Sequence, residues 1–291
     1  MRRLMGWRTY LGGEDMKRFW KILTTIFVLG LVLVGCGKSS SSSSSSQKQT
    51  TVKIGVVGAD NRVLQAVAKK VKKEGITIKI VQFSDYNQPN TALRDHDIDL
   101  NLFQHQYFLN NWNKTHKADL VSIGQTIIAP LAIYSKKITK ISQIKKGDPI
   151  ALPNDPTNEG RALQLLETAG LIKLNKKVAL PTTRDVTENK LDLQLKAVDA
   201  AQTASSLPDV AASVVNSGVA HDAKLDPKKA VYTEKVDKQS QPWINVFVAN
   251  KKDKNNATYK KIVKAYRTKD IADLIEKLYH GSEVPAWTQK F

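Results

Sequence analysis

The chain has 291 residues, with 45 Lys and Arg against 27 Asp and Glu, a formal net charge of +18, 41% hydrophobic residues and one cysteine. That length and apolar content suit one large domain or two smaller ones with packed cores. A lone cysteine, Cys36, excludes an intramolecular disulfide and any Cys-rich zinc or iron–sulfur site.

From Met16 the chain reads MKRFWKILTTIFVLGLVLVGCGK: basic Lys17, Arg18 and Lys21, then an apolar run of 13 residues from Ile22 to Val34, then Gly35 and Cys36. A spanning helix needs about 20 residues, so residues 1–35 read as a signal peptide, with 1–15 upstream of the true start. Leu33-Val34-Gly35-Cys36 resembles the lipobox of bacterial lipoproteins, which implies that Cys36 is lipidated and becomes the first mature residue. Residues 36–50 carry eight consecutive serines, Ser39 to Ser46, and no apolar run. They read as a flexible tether whose reach is roughly 20 Å from ~5–6 Å × √n.

The folded body begins with TVKIGVV (51–57), a β-branched run that predicts a buried strand. A helix follows, with Val63, Leu64, Val67, Ala68 and Val71 on one face, then ITIKIVQF (76–83) as a second strand. Strand, helix, strand at this spacing is a βαβ unit. The alternation continues through IDLNLF (98–103), a helix over QHQYFLNNWNK, and LVSIGQTIIAPLAIYS (120–135). After Lys136 a second set begins: a short helix and strand in ISQIKKGDPIALP, a helix from Pro156, and strand candidates in DLQLKAV (192–198), DVAASVV (209–215) and PWINVFVAN (242–250). Two amphipathic helices close the chain, one around Tyr259, Ile262, Val263 and Tyr266, the other around Ile271, Leu274, Ile275 and Leu278 with Thr268 as cap. The second set is long enough to build its own sheet and core, which predicts two α/β lobes.

Removing residues 1–35 takes away six basic and two acidic residues and leaves 39 against 25, or +14. The lysines are scattered over helix faces such as KKVKKE (69–74) and KKDK (251–254), with no interleaved aromatic platform, so nucleic acid is not expected as a partner. A basic surface adhesin holding anionic cell-wall polymer is the reading from a different class. No Gly-x-Ser-x-Gly elbow, His-Glu-x-x-His, P-loop or dinucleotide fingerprint occurs, so neither an enzyme nor a cofactor is expected. The five histidines lack metal-ligand spacing, and no metal is expected.

What remains are polar and aromatic residues in otherwise apolar places. Phe103, Gln104 and His105 lie where a strand gives way to a helix, and Tyr86 follows the strand ending at Phe83. Ligands of open α/β sheets bind just beyond the carboxyl ends of strands. Asn216 ends an apolar run and Asn245 lies inside one, where an unsatisfied amide costs free energy. In PNDPTNEGRALQLL (153–166) Asp155 or Thr157 can cap, Pro156 fits a first helical position, and Arg161 lies close to a helix start that favours anions. Each has a structural alternative: His105 as a helix-start or core histidine, Asn216 as a cap, Asn245 at a sheet edge, Tyr86 and Phe103 as core, and Arg161 in a surface pair with Glu159 or Asp155. Together they suit a small zwitterion, which needs an arginine for its carboxylate, amide oxygens for its ammonium and an aromatic pocket for its side chain.

The stretches FSDYNQPN (83–90), DLNLFQH (99–105), YSKKI (134–138), ALPNDPTNEGRALQLLETAGLIKL (151–174) and WINVFVA (243–249) resemble the methionine-binding lipoproteins of ABC importers, the NlpA family, over about residues 52–287. The resemblance implies a two-lobed periplasmic-binding-protein fold of type II, with residues 52–133 plus 246–291 in one lobe, 134–245 in the other, and two crossings between them. It further implies a receptor anchored by lipid on the outer face of the bacterial membrane, which captures methionine and delivers it to a permease and its ATPase. Carried over by position, Arg161 meets the ligand carboxylate, Asn216 and Asn245 its polar groups, and Tyr86, Phe103 and His105 surround the thioether. The family's His-x-Pro-Tyr-Leu reads His105-Gln106-Tyr107-Phe108-Leu109 here, so Phe108 replaces a tyrosine of the pocket and Tyr107 a proline. The family's INxxYA reads VNSGVA, keeping the asparagine and losing an aromatic. A methionine-containing dipeptide or another small apolar amino acid is the alternative ligand.

Overall fold

A computed structural model describes residues 49–290. The expected signal peptide, the lipidated Cys36 and the serine tether up to residue 48 lie outside the described residues. Thr50, at the end of the expected tether, pairs with Ile76 in the first sheet.

The first βαβ unit forms as its periodicity requires. Strand β1 (Thr50–Val57) and strand β2 (Ile76–Phe83) run parallel, and helix α1 (Arg62–Lys72) between them buries Val63, Leu64, Val67 and Val71. Helix α2 (Gln88–Arg94) leads to β3 (Leu100–His105), which pairs with the other side of β1. Helix α3 (Gln106–His116) follows without a break, and β4 (Val121–Ile128) completes the first pass.

LVSIGQTIIAPLAIYS divides into two strands of different sheets. Ala129 to Leu131 interrupt it, and β5 (Ala132–Tyr134) pairs with strands of a second sheet. That sheet gathers β6 (Pro149–Pro153), β9 (Gln194–Val198), β10 (Ala212–Val215) and β11 (Tyr232–Thr233) in the order β11-β5-β10-β6-β9. Between β6 and β9 lie helix α4 (Pro156–Thr168) and a small hairpin, β7 (Lys173–Leu174) with β8 (Val186–Glu188), which no periodic pattern marks. Short helix α5 (Ser217–Asp222) follows β10. The chain then returns: β12 (Ile244–Ala249) inserts antiparallel between β3 and β4, and α6 (Ala257–Tyr266), α7 (Lys269–Tyr279) and β13 (Val284–Pro285) finish the first sheet, ordered β13-β4-β12-β3-β1-β2. Thr268 does occupy the position before α7, but its hydroxyl bonds back to Ala265 rather than capping the helix.

Both sheets are covered on two faces. In the first, β1 packs on α1, α6 and α7 through Ile54, Val67, Ile262 and Ile275, while Leu93, Leu109, Trp112 and Val248 fill the opposite face under α2 and α3. In the second, Leu163 and Leu166 of α4 pack on Ile150, Leu152 and Val214, and Leu207 and Ala220 close the other side around Tyr134 and Val215. The changes of sheet fall between Ile128 and Ala132 and between Thr233 and Ile244. Ala132, Ile133, Ile244 and Asn245 therefore hydrogen-bond on the other side of the boundaries expected at 133/134 and 245/246. Strand ends are fixed by backbone pairing with partners remote in sequence, which the apolar runs do not mark.

Candidate ligand-binding site

One cavity of about 160 Å³ lies between the two sheets, and all seven residues singled out by sequence line it: Tyr86, Phe103, His105, Phe108, Arg161, Asn216 and Asn245. Asn158, which the sequence reading passed over, lines it too, as do Glu283 and Tyr279 from the chain's last elements.

The aromatic end is local. Tyr86 follows β2, Phe103 lies in β3, and Phe108 opens α3; their ring centroids are 5.9 Å (Tyr86 to Phe103), 6.3 Å (Tyr86 to Phe108) and 5.6 Å (Phe103 to Phe108) apart, the last pair edge to face. This is the spacing at which aromatic quadrupoles attract. Behind it Asn90, Asn101 and Gln104, all buried, bond to one another, with Asn90 giving Nδ2–H to Gln104 (2.9 Å) and Asn101 giving Nδ2–H to Asn90 (2.9 Å). Those amides hold α2 against β3 and so set where Tyr86 meets Phe103. The signal available was two polar side chains, Asn101 and Gln104, in an apolar strand.

His105 bears out its structural alternative and keeps a free edge. It occupies the cap position of α3, where its Nδ1 accepts from the Phe108 amide at 3.0 Å. A ring whose Nδ1 accepts carries its proton on Nε2. Burial, with the Arg161 charge beside it and only a contact from Asn158 opposing, lowers the imidazole to about 3, so it is neutral at physiological pH. Nε2 is buried and has no hydrogen-bond partner among the described residues. The site thus holds an unused donor.

Asn216 supplies the complementary acceptor by a chain of fixed amides. Asp155 caps α4 by accepting from the Asn158 amide (3.0 Å), and its carboxylate also takes both contacts from Asn158 Nδ2 (3.1 and 2.9 Å). A carboxylate only accepts, so Asn158 must turn its oxygen the other way, where Asn216 Nδ2 donates to it at 2.9 Å. That leaves Asn216 Oδ1 buried with no partner among the described residues. Asn216 does sit at the cap position of α5, but its side chain makes no capping bond. Burial pushes the Asp155 carboxyl up, against the bonds from Asn158 and Thr157. Asn245 lies in β12 opposite His105, its carbonyl accepting from Thr126 at 3.0 Å.

Arg161 is buried, with a side-chain exposure of 3%, and pairs with neither residue expected of a surface bridge. Asp155 is occupied by Asn158, and Glu159 accepts from the Thr183 amide. Instead Arg161 meets Glu234, 73 residues away: Nε donates to Oε1 at 2.9 Å and Nη2 to Oε2, while Nη2 also reaches the Ala129 carbonyl at 3.1 Å. The guanidinium lies 4.8 Å from the Trp243 ring centroid, and Trp243 in turn lies 4.9 Å from the His105 ring. The surface pair with Glu159 or Asp155 is corrected to a buried pair with Glu234, which takes one edge of the Arg161 fork. Glu234 and Trp243 went unnoticed in the sequence, since a partner 73 residues away leaves no local pattern.

At the far wall Glu283 faces Asp60 and receives a 3.4 Å contact from the Ser217 hydroxyl; burial, and then the Asp60 charge, push its carboxyl up to about 8. Beside it Asp222 of α5 accepts from the Ala59 amide at 3.0 Å, joining the two sheets at the cavity's edge. Gly58 has φ of +93°, and a Cβ there would sit 2.5 Å from Asp222 Oδ2, so this contact requires glycine.

Two sheeted lobes, two crossings and a polar and aromatic cavity between them define a two-lobed binding protein of the periplasmic type. The sequence matches the NlpA lipoprotein family over residues 52–287, and the chain belongs to that family. It is 41% identical over 264 residues to the D-methionine-binding lipoprotein MetQ of Yersinia pestis, covering 88% of this chain and 94% of the relative. A crystal structure of the substrate binding protein of a methionine transporter from Streptococcus pneumoniae superposes with a TM-score of 0.78 at 43% identity, over 81% of this chain and 96% of that one. The structure of a nutrient binding protein from Burkholderia cenocepacia bound to methionine gives 0.77 at 40%, over 81% and 99%.

Proposed function

We propose that the protein is an extracytoplasmic receptor, anchored by lipid on Cys36, that captures methionine and delivers it to an ABC importer. The observation that carries this is the cavity's pair of unused groups. His105 Nε2–H offers a donor and Asn216 Oδ1 an acceptor, both buried and both unpaired among the described residues. Each costs free energy until a ligand completes it. A zwitterion does both, with its carboxylate on the histidine and on Arg161, and its ammonium on Asn216 with Asn245 beside it. The names of the relatives support methionine as that zwitterion, and Tyr86, Phe103 and Phe108 supply an apolar seat for a thioether, which makes favourable sulfur–aromatic contacts. The volume, about 160 Å³, falls below the ~300–1,000 Å³ of drug-sized sites and favours a single amino acid over a dipeptide.

In this reading the lobes, residues 52–133 plus 246–291 and residues 134–245 with the small exchanges at the crossings, close on the ligand by hinge motion. The permease and ATPase subunits are the partners that receive it. Among the described residues no helix is long and apolar enough to cross a membrane, so the described body supplies no spanning anchor of that kind. Native mass spectrometry of the full chain freshly purified in detergent tests the ligand. A retained mass equal to methionine is expected. A dipeptide mass moves the assignment to the alternative ligand, and polymer binding that collapses with salt, with no methionine bound in calorimetry, replaces the receptor by the adhesin.

A further inference from the structure

Arg161, Glu234 and the two crossings form one node. The Glu234 amide donates to the Leu131 carbonyl at 2.9 Å, and the Leu131 amide donates back to Glu234 Oε2 at 3.1 Å, so one residue of the second crossing is bonded twice to one residue of the first. The same carboxylate takes Arg161 Nε, and Arg161 Nη2 reaches the Ala129 carbonyl two residues before Leu131. With Trp243 against its face, the guanidinium has one amino group, Nη1, that makes no hydrogen bond among the described residues. Arg161 lines the cavity, so that group is the one left for a ligand carboxylate.

We infer that Glu234 is a positioning residue for ligand capture, holding Arg161 with its Nη1 edge toward the cavity and tying that edge to both chain crossings. The inference rests on the proposed amino-acid site and adds to it how occupancy reaches the hinge. Three bonds on one carboxylate orient the fork, and planar bidentate pairing fixes an arginine where a single contact leaves it free to swing. The carboxylate also balances the guanidinium before any ligand arrives. A ligand that draws on Nη1 pulls on a group bonded to Ala129 and, through Glu234, to Leu131, which are the backbone positions where the chain changes sheets. A carboxylate at position 234 that served stability alone would raise the melting temperature without linking ligand to these amides.

Hydrogen exchange with mass spectrometry on the full chain in detergent separates the two. In the wild type, methionine is expected to slow exchange at residues 129–133 and 232–236 as well as around 103–109. In Glu234→Gln the Leu131 amide exchanges at least about tenfold faster without ligand, methionine binds about tenfold more weakly by calorimetry, and added methionine still slows exchange at 103–109 but no longer at the two crossings. Arg161→Lys, which keeps the charge opposite Glu234 but not the fork, keeps the ligand-free protection of Leu131 and loses the ligand-linked part. Wild-type affinity together with intact ligand-linked protection at both crossings, in either variant, overturns the inference. Should the wild type fail to bind methionine, the function proposed above falls. Unchanged Leu131 exchange in ligand-free Glu234→Gln likewise overturns the inference.

Discussion

The two ends of the cavity are built differently. Its aromatic end comes from one stretch of chain, with Tyr86, Phe103 and Phe108 placed by consecutive elements of a single βαβ run. Its polar end is assembled from distant pieces: Arg161 on Glu234, Asn216 on Asn158, Asn158 on Asp155, and Asn245 opposite His105. Apolar contact is non-directional and tolerates small displacements, whereas a buried amide or guanidinium must have each partner in place. In the proposed function, side-chain choice at the aromatic end would tune selectivity, while the polar end would carry both affinity and structure.

The largest effect expected from breaking this contrast is at Arg161. Arg161→Ala strands Glu234 as well as the ligand carboxylate, so calorimetry should show methionine bound at least about a hundredfold more weakly, about 2.8 kcal/mol. Denaturant titration should show a stability loss of about 3–5 kcal/mol, as for removing one partner of a buried pair. A normal dissociation constant would refute the polar-end assignment. Asn216→Ala removes the acceptor proposed for the ammonium and should weaken methionine about ten- to a hundredfold. It should leave the preference for methionine over alanine intact. Phe103→Leu should do the reverse, lowering affinity about two- to tenfold and narrowing that preference, because it loses two ring pairs and no polar contact. If both variants lower the two affinities in proportion, the ends are not separable.

The smallest effects are in pH dependence, where His105 and Glu283 have opposite signs. The buried imidazole binds its proton only near pH 3, far below its ordinary value near 6.5. Its contribution is present at neutral pH and is lost as acid protonates the unfolded chain first. Burial raises the Glu283 carboxyl to about 8 from its ordinary value near 4.5. The folded state then holds the extra proton, and stability falls as pH rises through that interval. Melting temperatures of Glu283→Gln should therefore decline less than wild type as pH rises from about 4.5 to about 8, and His105→Asn should flatten the acid side. Parallel curves for wild type and Glu283→Gln would show that Glu283 ionises freely.

Much of this is legible in the sequence. The period-2 and period-3.6 runs gave β1, β2, α1, α4 and the two closing helices, and polar or aromatic residues at strand ends pointed to Tyr86, Phe103, His105 and Asn216. His105 shows how two readings coexist: Nδ1 caps a helix and Nε2 faces an unfilled need. Arg161 drew notice as a cation near a helix start, but its surface-bridge alternative named the wrong acids. Asp155 and Glu159 are near in sequence, and only Glu234 is near in space. The hairpin of β7 and β8 and the amide cluster of Asn90, Asn101 and Gln104 escaped for the same reason, being held by bonds rather than by apolar pattern.

The amino-acid order by itself determined most of the helices and strands and the alternation that makes an α/β protein. Apolar spacing decides these, since it states which face of each element avoids water. Only the tertiary structure decided which partner each polar group meets. The chain leaves the first sheet after Ile128 and returns at Ile244, and that excursion brings Glu234 to Arg161 and Asn216 to Asn158. Hydrogen-bond partners are chosen by position in space, and no periodicity along a chain encodes a contact across 73 residues.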